Sequence, residues 1–156
     1  MNNKYFIFVL TTVFLTIWFS WCIELEPEEN YIYVVVTGNA KVWGYDDGKG
    51  ELVYFPNMQI DMEIRKSGAV KKTGTFTTDE NGDTIGNICH TVKVYKEQRV
   101  RVTGNLRTVL PQYYIDEGYS VSQFTYEELT WNQIKSSANW GGTYSWSPIV
   151  GFYIFK

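Results

Sequence analysis

Apolar and polar residues alternate through much of the chain after residue 30, and this period of two predicts β-strands. The clearest example is the segment Met58–Arg65. The even-numbered residues of this segment are apolar, namely Met58, Ile60, Met62 and Ile64. The odd-numbered residues are polar, namely Gln59, Asp61, Glu63 and Arg65. Such a strand buries one face and exposes the other to water.

Turn residues recur at short intervals between further apolar runs, which is typical of all-β proteins. The predicted strands are Tyr31–Thr37, Ala40–Tyr45, Leu52–Phe55, Lys72–Thr78, Ile88–Tyr95, the alternating region around Val100 and Val102, and Ile149–Phe155. We therefore expect residues 31–156 to form one β-sandwich domain.

One helix signal interrupts the strands. Thr125 and Glu128 have the spacing of a capping box, and Phe124 and Leu129 have that of a hydrophobic staple. These features predict a short helix that begins near Thr125 and extends to about Ser137, where asparagine and glycine residues follow.

Residues 1–23 form a separate region, because Tyr5–Ile23 is uncharged and mostly apolar and is preceded by Lys4. Its length is close to that of a membrane-spanning helix, and its flanking charges predict export of the remainder of the chain. Residues 24–30 are an acidic linker. Three interpretations stay open: a signal peptide cleaved before Ile23, a retained signal-anchor, or a lipoprotein modified at Cys22.

The composition limits the functional class. The net charge is −3, and the basic residues are scattered, so we expect no nucleic-acid partner. Aromatic residues make up 17% of the chain, including 12 Tyr and 6 Trp, which favours strands. Together with the predicted export segment, these features indicate an extracytoplasmic protein that is secreted or tethered to a membrane.

From Val36 to about Gly104 the chain resembles the transthyretin-like or carboxypeptidase-regulatory-like sandwich family. The resemblance rests on Val36–Val42 as a first strand, on Pro56–Ile60 entering a second, on the hairpin Thr77–Gly82, and on Val92–Tyr95. It implies a Greek-key sandwich without catalysis, and a generic immunoglobulin-like sandwich is the alternative. The segment Asp83–Gly86 departs from the family pattern, and Leu106–Lys156 has no counterpart in it.

The chemistry-bearing residues do not predict an enzyme. Cys89 and His90 are adjacent on a predicted strand, so they point to opposite faces, with His90 directed to the core. No nucleophile-elbow or zinc-protease motif is present. Asp79, Asn81 and Asp83 do not follow the spacing of an EF-hand loop, and Asn81-Gly82 instead predicts a tight turn. We expect no cofactor and no metal.

Aromatic residues near the predicted helix are the candidate ligand-binding residues, and we call them the helix-end rings: Trp131, Trp140, Tyr144 and Trp146. Exposed rings of this kind stack on sugars, whereas buried ones attach a helix to a sheet. Trp43 and Tyr45 form a second aromatic pair with the same two interpretations.

These patterns predict an exported, non-catalytic β-sandwich that mediates protein–protein or cell-surface assembly contacts, including contacts with a second copy of the chain. The strand Ile149–Phe155 is the candidate edge for pairing with a partner strand. The alternative function is a carbohydrate-binding module that uses the helix-end rings on a surface glycan. If the N-terminal segment is retained, the membrane is a further partner.

Overall fold

The alternation of apolar and polar residues is reproduced as strands in the structure, a computed structural model. It describes residues 30–46, 50–122 and 124–156, so the predicted export segment Tyr5–Ile23 lies outside the described residues. The elements in these ranges are β1 (Tyr31–Asp46), β2 (Glu51–Tyr54), β3 (Gln59–Lys66), β4 (Ala69–Thr77), β5 (Ile88–Tyr95), β6 (Val100–Leu106), α1 (Gln112–Asp116), β7 (Ser120–Val121), β8 (Phe124–Leu129), α2 (Trp131–Ser137), β9 (Thr143–Trp146) and β10 (Ile149–Phe155).

The strands form two sheets, which confirms the prediction of an all-β protein. One sheet has the order β2-β1-β10-β7, with β5 and β9 also paired to β1, and the other has the order β4-β3-β6-β8. Their inner faces are in contact. A Cβ atom built on Gly104 of β6 would lie 2.9 Å from the ring of Phe152 on β10. The sheets therefore share one hydrophobic core, within a compact unit that comprises Tyr31–Lys156.

Strand β1 organises the larger sheet by changing partners halfway along its length. From Tyr31 to Gly38 it pairs with β5 and β9, and from Asn39 to Asp46 it pairs with β10 and β2. Gly38-Asn39 was expected to separate two strands, but the chain continues through it as one strand. Its buried residues alternate without a break: Ile32, Val34, Val36, Gly38, Ala40, Val42 and Gly44.

The helix prediction was wrong at its N-terminal half. Phe124–Leu129 is strand β8, which pairs with β6 and turns Glu128 toward Arg101. The observed α2 begins at Trp131, after a different capping box made by Thr130 and Gln133. In that box the amide of Thr130 donates to Gln133 Oε1 at 2.8 Å. The described residues also contain a second short helix, α1, that the sequence did not predict.

The strand Ile149–Phe155, predicted as an edge for pairing with a partner, is paired within the domain along one side and at the end of the other. Strand β10 has the expected bounds, but it runs parallel to β1 from Ile149 to Ile154 and pairs with β7 at Ile154 and Phe155. Along Ile149–Phe152 the ladder with β1 is the only strand pairing among the described residues, and the inward residues Val150 and Phe152 supply part of the core. Neither helix in the described ranges has the length and apolarity needed to cross a membrane.

Candidate binding surface

The helix-end rings have very different environments. Trp131 is buried, with 9% of its surface exposed, whereas Trp140 is 46% exposed and packs on Trp131 with ring centroids 5.3 Å apart. Tyr144 and Trp146 are half-buried and pack against the core. Of the four rings, Trp140 alone is exposed.

The pairing of β9 explains why two of these rings turn inward. β9 runs parallel to β1, with Tyr144 beside Val34 and Trp146 beside Val36. Both valines face the core and are fully buried. Residues paired in this way point to the same side of the sheet. Tyr144 and Trp146 therefore point toward the core and pack at its edge. The four rings therefore do not form a single exposed surface.

Another group of aromatic residues is exposed together, on the outer side of the larger sheet. It lies across β2, β1 and β10, and we call it the aromatic face: Trp43, Tyr45, Tyr54, Tyr153 and Phe155, with Leu52 and Ile149 at its margin. All of these side chains are exposed except Trp43, which is half-buried. They place large apolar side chains on three adjacent strands, and exposed apolar patches on soluble proteins mark interaction sites.

The strand register shows which residues form the centre of the aromatic face. Trp43 is paired with Tyr54 on one side and with Tyr153 on the other, so three rings form a row across the sheet. Trp43 and Tyr153 are 6.3 Å apart between ring centroids, with an interplanar angle of 67°. This edge-to-face arrangement stabilises the pair. The row is therefore held by contacts within the sheet.

A charged residue borders this row. Lys41 Nζ lies 4.9 Å from the centre of the Tyr54 ring and 2.9 Å from Asp83 Oδ2. The first contact is a cation–π interaction, and the second is an ion pair with the hairpin that follows β4. Lys41 thus places a charged side chain beside the apolar row, and protein-binding surfaces commonly combine an apolar centre with polar residues at the rim.

The outer side of the smaller sheet is chemically different. It carries a depression of about 570 Å³ lined by arginine and glutamate side chains together with Thr103 and Phe124. Arg101 donates two hydrogen bonds to Glu128 Oε2, at 2.9 and 2.7 Å, and Arg65 Nε donates to Glu63 at 2.7 Å. The charges of these two arginines are therefore largely neutralised by their neighbours.

The structure separates the two residues of β5 that could supply a nucleophile and a base. Cys89 is exposed and His90 is half-buried, on opposite sides of β5, so they cannot act as a nucleophile and its base. The predicted direction of the His90 side chain, toward the core, is confirmed by its pairing with the buried Val36, although His90 itself is only half-buried. Within the described ranges, no cluster of three or more metal-ligating side chains occurs.

The hairpin between Thr78 and Thr84 is a hydrogen-bonded turn. Asp79 Oδ1 accepts the amide protons of Asn81 at 2.8 Å and of Asp83 at 3.1 Å. Gly82 has a φ angle of 72°, which glycine adopts readily. The predicted turn is confirmed, and the Asp79 carboxylate is engaged by the backbone.

Sequence reasoning identified part of the aromatic face. Trp43 and Tyr45 were recognised as a pair, whereas Tyr54 and Tyr153 were not connected with them. The period of two in Ile149–Phe155 does place Tyr153 and Phe155 on one side of a strand. Which strand lies beside β1 depends on long-range pairing, and the sequence pattern does not contain that information.

No protein-family model matches the sequence. The comparison with curated proteins gives no match. Among solved structures, the crystal structure of (S)-allantoin synthase is similar at 15% sequence identity and a TM-score of 0.33. That match covers 77% of this chain, and the chain spans 43% of the allantoin synthase chain.

Proposed function

We propose that this domain is a non-catalytic, exported module that binds another protein through its aromatic face. The row of Tyr54, Trp43 and Tyr153 across three adjacent strands is the observation that supports this function. Tyrosine and tryptophan dominate the binding energy of many protein interfaces. Because these rings are already positioned by the sheet, little entropy is lost in ordering them when a partner binds.

The geometry of the row favours a protein over a sugar. A sugar ring stacks best on flat, coplanar aromatic faces, but Trp43 and Tyr153 are inclined at 67°. The margin also includes the exposed aliphatic side chains Leu52 and Ile149. Such a mixture of rings and branched chains matches the apolar centre of a protein interface.

A glycan-binding surface on the other half of the domain is the second candidate. Trp140 is exposed and rests on the buried Trp131 at a ring-plane angle of 32°. A single supported indole is enough to stack on one sugar ring. This candidate predicts glycan binding that Trp140→Ala abolishes and that changes in the aromatic face leave intact.

We further propose that the sandwich is of the Greek-key, transthyretin-like or immunoglobulin-like type, which the resemblance of Val36–Gly104 supports. The predicted export segment supports a location outside the cytoplasm, either secreted or tethered. Both proposals agree with a binding module that acts at a surface.

The experiment is site-specific photocrosslinking in the cells that make the protein. A photoreactive phenylalanine analogue at Tyr153 is expected to form a crosslink with a partner protein, and the same analogue at Thr75 on the other sheet serves as the control. The proposal is contradicted if position 153 gives no crosslink, or if both positions give the same products. A crosslink to a second copy of this chain would identify the partner as the protein itself.

Affinity measurements with the captured partner test whether the residues of the aromatic face contribute to binding. Tyr54→Ala is expected to weaken binding by about tenfold or more, as for a central interface ring. Tyr126→Ala is a matched control, because Tyr126 is also exposed and has Arg101 over its ring at 4.3 Å, but it lies on the smaller sheet. Equal losses in the two variants would contradict the assignment.

A further inference from the structure

The depression on the outer side of the smaller sheet has the size of a small-molecule site. Its volume of about 570 Å³ falls within the range of about 300–1,000 Å³ that is usual for ligand pockets. Thr103 lies at its floor, because its side chain is on the outer side of β6 and is nevertheless only 4% exposed. Phe124 lines one end and is 59% exposed, and the turns that contain Ser67 and Glu97 line the other end. The depression therefore joins an apolar end to a charged one.

Arg99 is the arginine of this depression with the most unused hydrogen-bond donors. Arg65 directs Nε and Nη2 at the carboxylate of Glu63, at 2.7 and 2.6 Å. Arg101 directs the same two atoms at Glu128 Oε2, at 2.9 and 2.7 Å. Arg99 reaches Glu128 through Nη1 only, at 3.4 Å, and its side chain is 60% exposed. No acceptor among the described residues lies within hydrogen-bond distance of Arg99 Nε or Nη2, the edge of a guanidinium group that binds a carboxylate through two parallel hydrogen bonds.

A carboxylate without a counter-ion lines the same depression. Glu97 is exposed and precedes Arg99 by two residues in the hairpin that joins β5 to β6. Within the described ranges it forms no ion pair, either with Arg99 or with another cation. The hairpin is fixed by two hydrogen bonds, from the Tyr95 amide to Gln98 Oε1 at 3.0 Å and from the Gln98 amide to the Tyr95 carbonyl at 3.1 Å. An unpaired carboxylate and an unpaired guanidinium edge are therefore held in one short hairpin.

The balance of charges selects the class of ligand. Three arginines and three glutamates lie in or beside the depression, so its formal net charge is zero: Arg65, Arg99, Arg101, Glu63, Glu97 and Glu128. An inorganic anion such as phosphate would gain little from a neutral site. A zwitterion instead gives a carboxylate to the unused guanidinium edge and an ammonium group to the unpaired carboxylate. The exposed Phe124 ring adds apolar surface for a side chain.

We propose that the depression binds a free α-amino acid with a large apolar side chain. The Nε–Nη2 edge of Arg99 receives the carboxylate of the ligand, Glu97 receives its ammonium group, and its side chain extends toward Phe124. An α-amino acid carries both charged groups on one carbon atom, which matches two partners that are two residues apart in one hairpin. Four residues of extended chain, about 13 Å, separate Arg99 from Thr103, so a small side chain such as that of alanine would not reach the apolar end. This site is on the other sheet from the aromatic face and does not depend on it.

Ligand titration with the full chain in a nonionic detergent tests the proposal. Arginine side chains are labelled with ¹⁵N, and the Nε–H signal of Arg99 is followed while phenylalanine is added. Hydrocinnamate, which lacks the ammonium group, and phenethylamine, which lacks the carboxylate, are added in parallel experiments. We expect phenylalanine to shift the Arg99 signal saturably and to bind about tenfold or more tightly than either analogue, because each analogue loses one charged hydrogen-bonded contact.

Calorimetric titration of variants identifies the residues that hold the ligand. Arg99→Gln and Glu97→Gln should each weaken phenylalanine binding by about tenfold or more. Arg107→Gln is the matched control, because Arg107 also has a side chain that is 60% exposed but is paired with Asp61 and does not line the depression. It should leave the affinity unchanged.

The proposal is overturned if hydrocinnamate or phenethylamine binds as tightly as phenylalanine, since the site would then recognise a single charge. It is also overturned if phenylalanine, leucine and methionine all fail to shift the Arg99 signal saturably, or if Arg107→Gln weakens binding as much as Arg99→Gln. The comparison of ligands uses the unaltered chain, so a variant that folds poorly does not affect its outcome.

Discussion

The ring of Trp43 on β1 occupies the space in which a side chain at position 151 of β10 would begin. A Cβ atom built on Gly151 would clash with Cη2 of that indole and would lie 2.9 Å from its Cζ3. Glycine at this position thus allows the Trp43 ring to pack over the backbone of the neighbouring strand. The most central ring of the aromatic face owes its orientation to a residue that makes no side-chain contact itself.

Gly151→Ala is therefore expected to displace the Trp43 ring while changing the free energy of unfolding by less than about 1 kcal/mol. The cost of moving the ring and the gain from replacing a strand glycine oppose each other. In ¹⁹F-tryptophan NMR the resonance of Trp43 should shift, and binding of the partner should weaken. In a Trp43→Leu background, which lacks the clashing indole atoms, no ring has to move, and Gly151→Ala should not lower the free energy of unfolding. A Trp43 resonance that does not shift in the Gly151→Ala variant would refute the relationship.

The two threonines that precede α2 have opposite expected effects. Thr130→Ala removes a residue of the observed capping box and should reduce the free energy of unfolding by about 1 kcal/mol. Thr125→Val should leave stability unchanged or raise it by up to about 1 kcal/mol, because the buried Thr125 Oγ1 has no hydrogen-bond partner among the described residues. Chemical denaturation of both variants measures the difference. A helix that began at Thr125 would give the reverse order.

These threonines also show which part of the fold could be predicted from the sequence. Thr125 and Glu128 satisfy the local rule for a helix start, and so do Thr130 and Gln133 five residues later. The choice between them depends on tertiary structure, because β6 pairs with Phe124–Leu129 and Arg101 engages Glu128. Local capping energies are too small to outweigh a full ladder and a buried inward Leu129.

Strand existence and side-chain direction were more predictable than strand neighbours. The period of two fixed the inward residues of β1, β3 and β10, because burial of one face imposes it directly. Pairing of β10 with β1 depends on residues about 110 positions apart in the chain, as for Trp43 and Tyr153. The aromatic face is formed by this pairing, so the sequence revealed its members on β1 but not the row.

Gly82→Ala is expected to lower the free energy of unfolding by at least about 2 kcal/mol. The residue has a φ angle of 72°, and an added Cβ would clash with the backbone carbonyl oxygen of Val42, which cannot move aside. Gly118→Ala is the matched control. Gly118 has a φ angle of 84° but no atom within 4 Å of its Cβ position, so only the backbone cost of about 1 kcal/mol remains. Equal destabilisation of the two variants would show that the hairpin does not pack on β1.

Asp61 on the outer side of the smaller sheet gives a prediction about pH. Thr75 Oγ1 donates a hydrogen bond to Asp61 Oδ1 at 2.6 Å, and Arg107 Nε donates to the other carboxylate oxygen. The hydrogen bond from Thr75 and the guanidinium of Arg107 together outweigh partial burial, which acts in the opposite sense. They hold the pKa of Asp61 below its usual value of 3.8.

A lowered pKa means that the ionised carboxylate is more stable in the folded chain than in the unfolded one. The resulting contribution to stability is present above the unfolded pKa of 3.8, and it is lost as the pH falls through the lower folded pKa. Thr75→Val should raise the pKa of Asp61 in carboxylate NMR titrations. It should also reduce the free energy of unfolding at neutral pH by up to about 1 kcal/mol, since the site is near the surface.

The difference between Thr75→Val and the unaltered protein should therefore diminish as the pH falls from about 3.8 through the lower folded pKa of Asp61, below which both states bind the proton. Thr73→Val is the control, because Thr73 lies on the same side of β4 but is paired with Glu63 rather than with Asp61. It should leave the titration of Asp61 unchanged. A stability difference for Thr75→Val that is independent of pH would mean that the hydroxyl acts through packing on the sheet, and that the carboxylate of Asp61 does not depend on it.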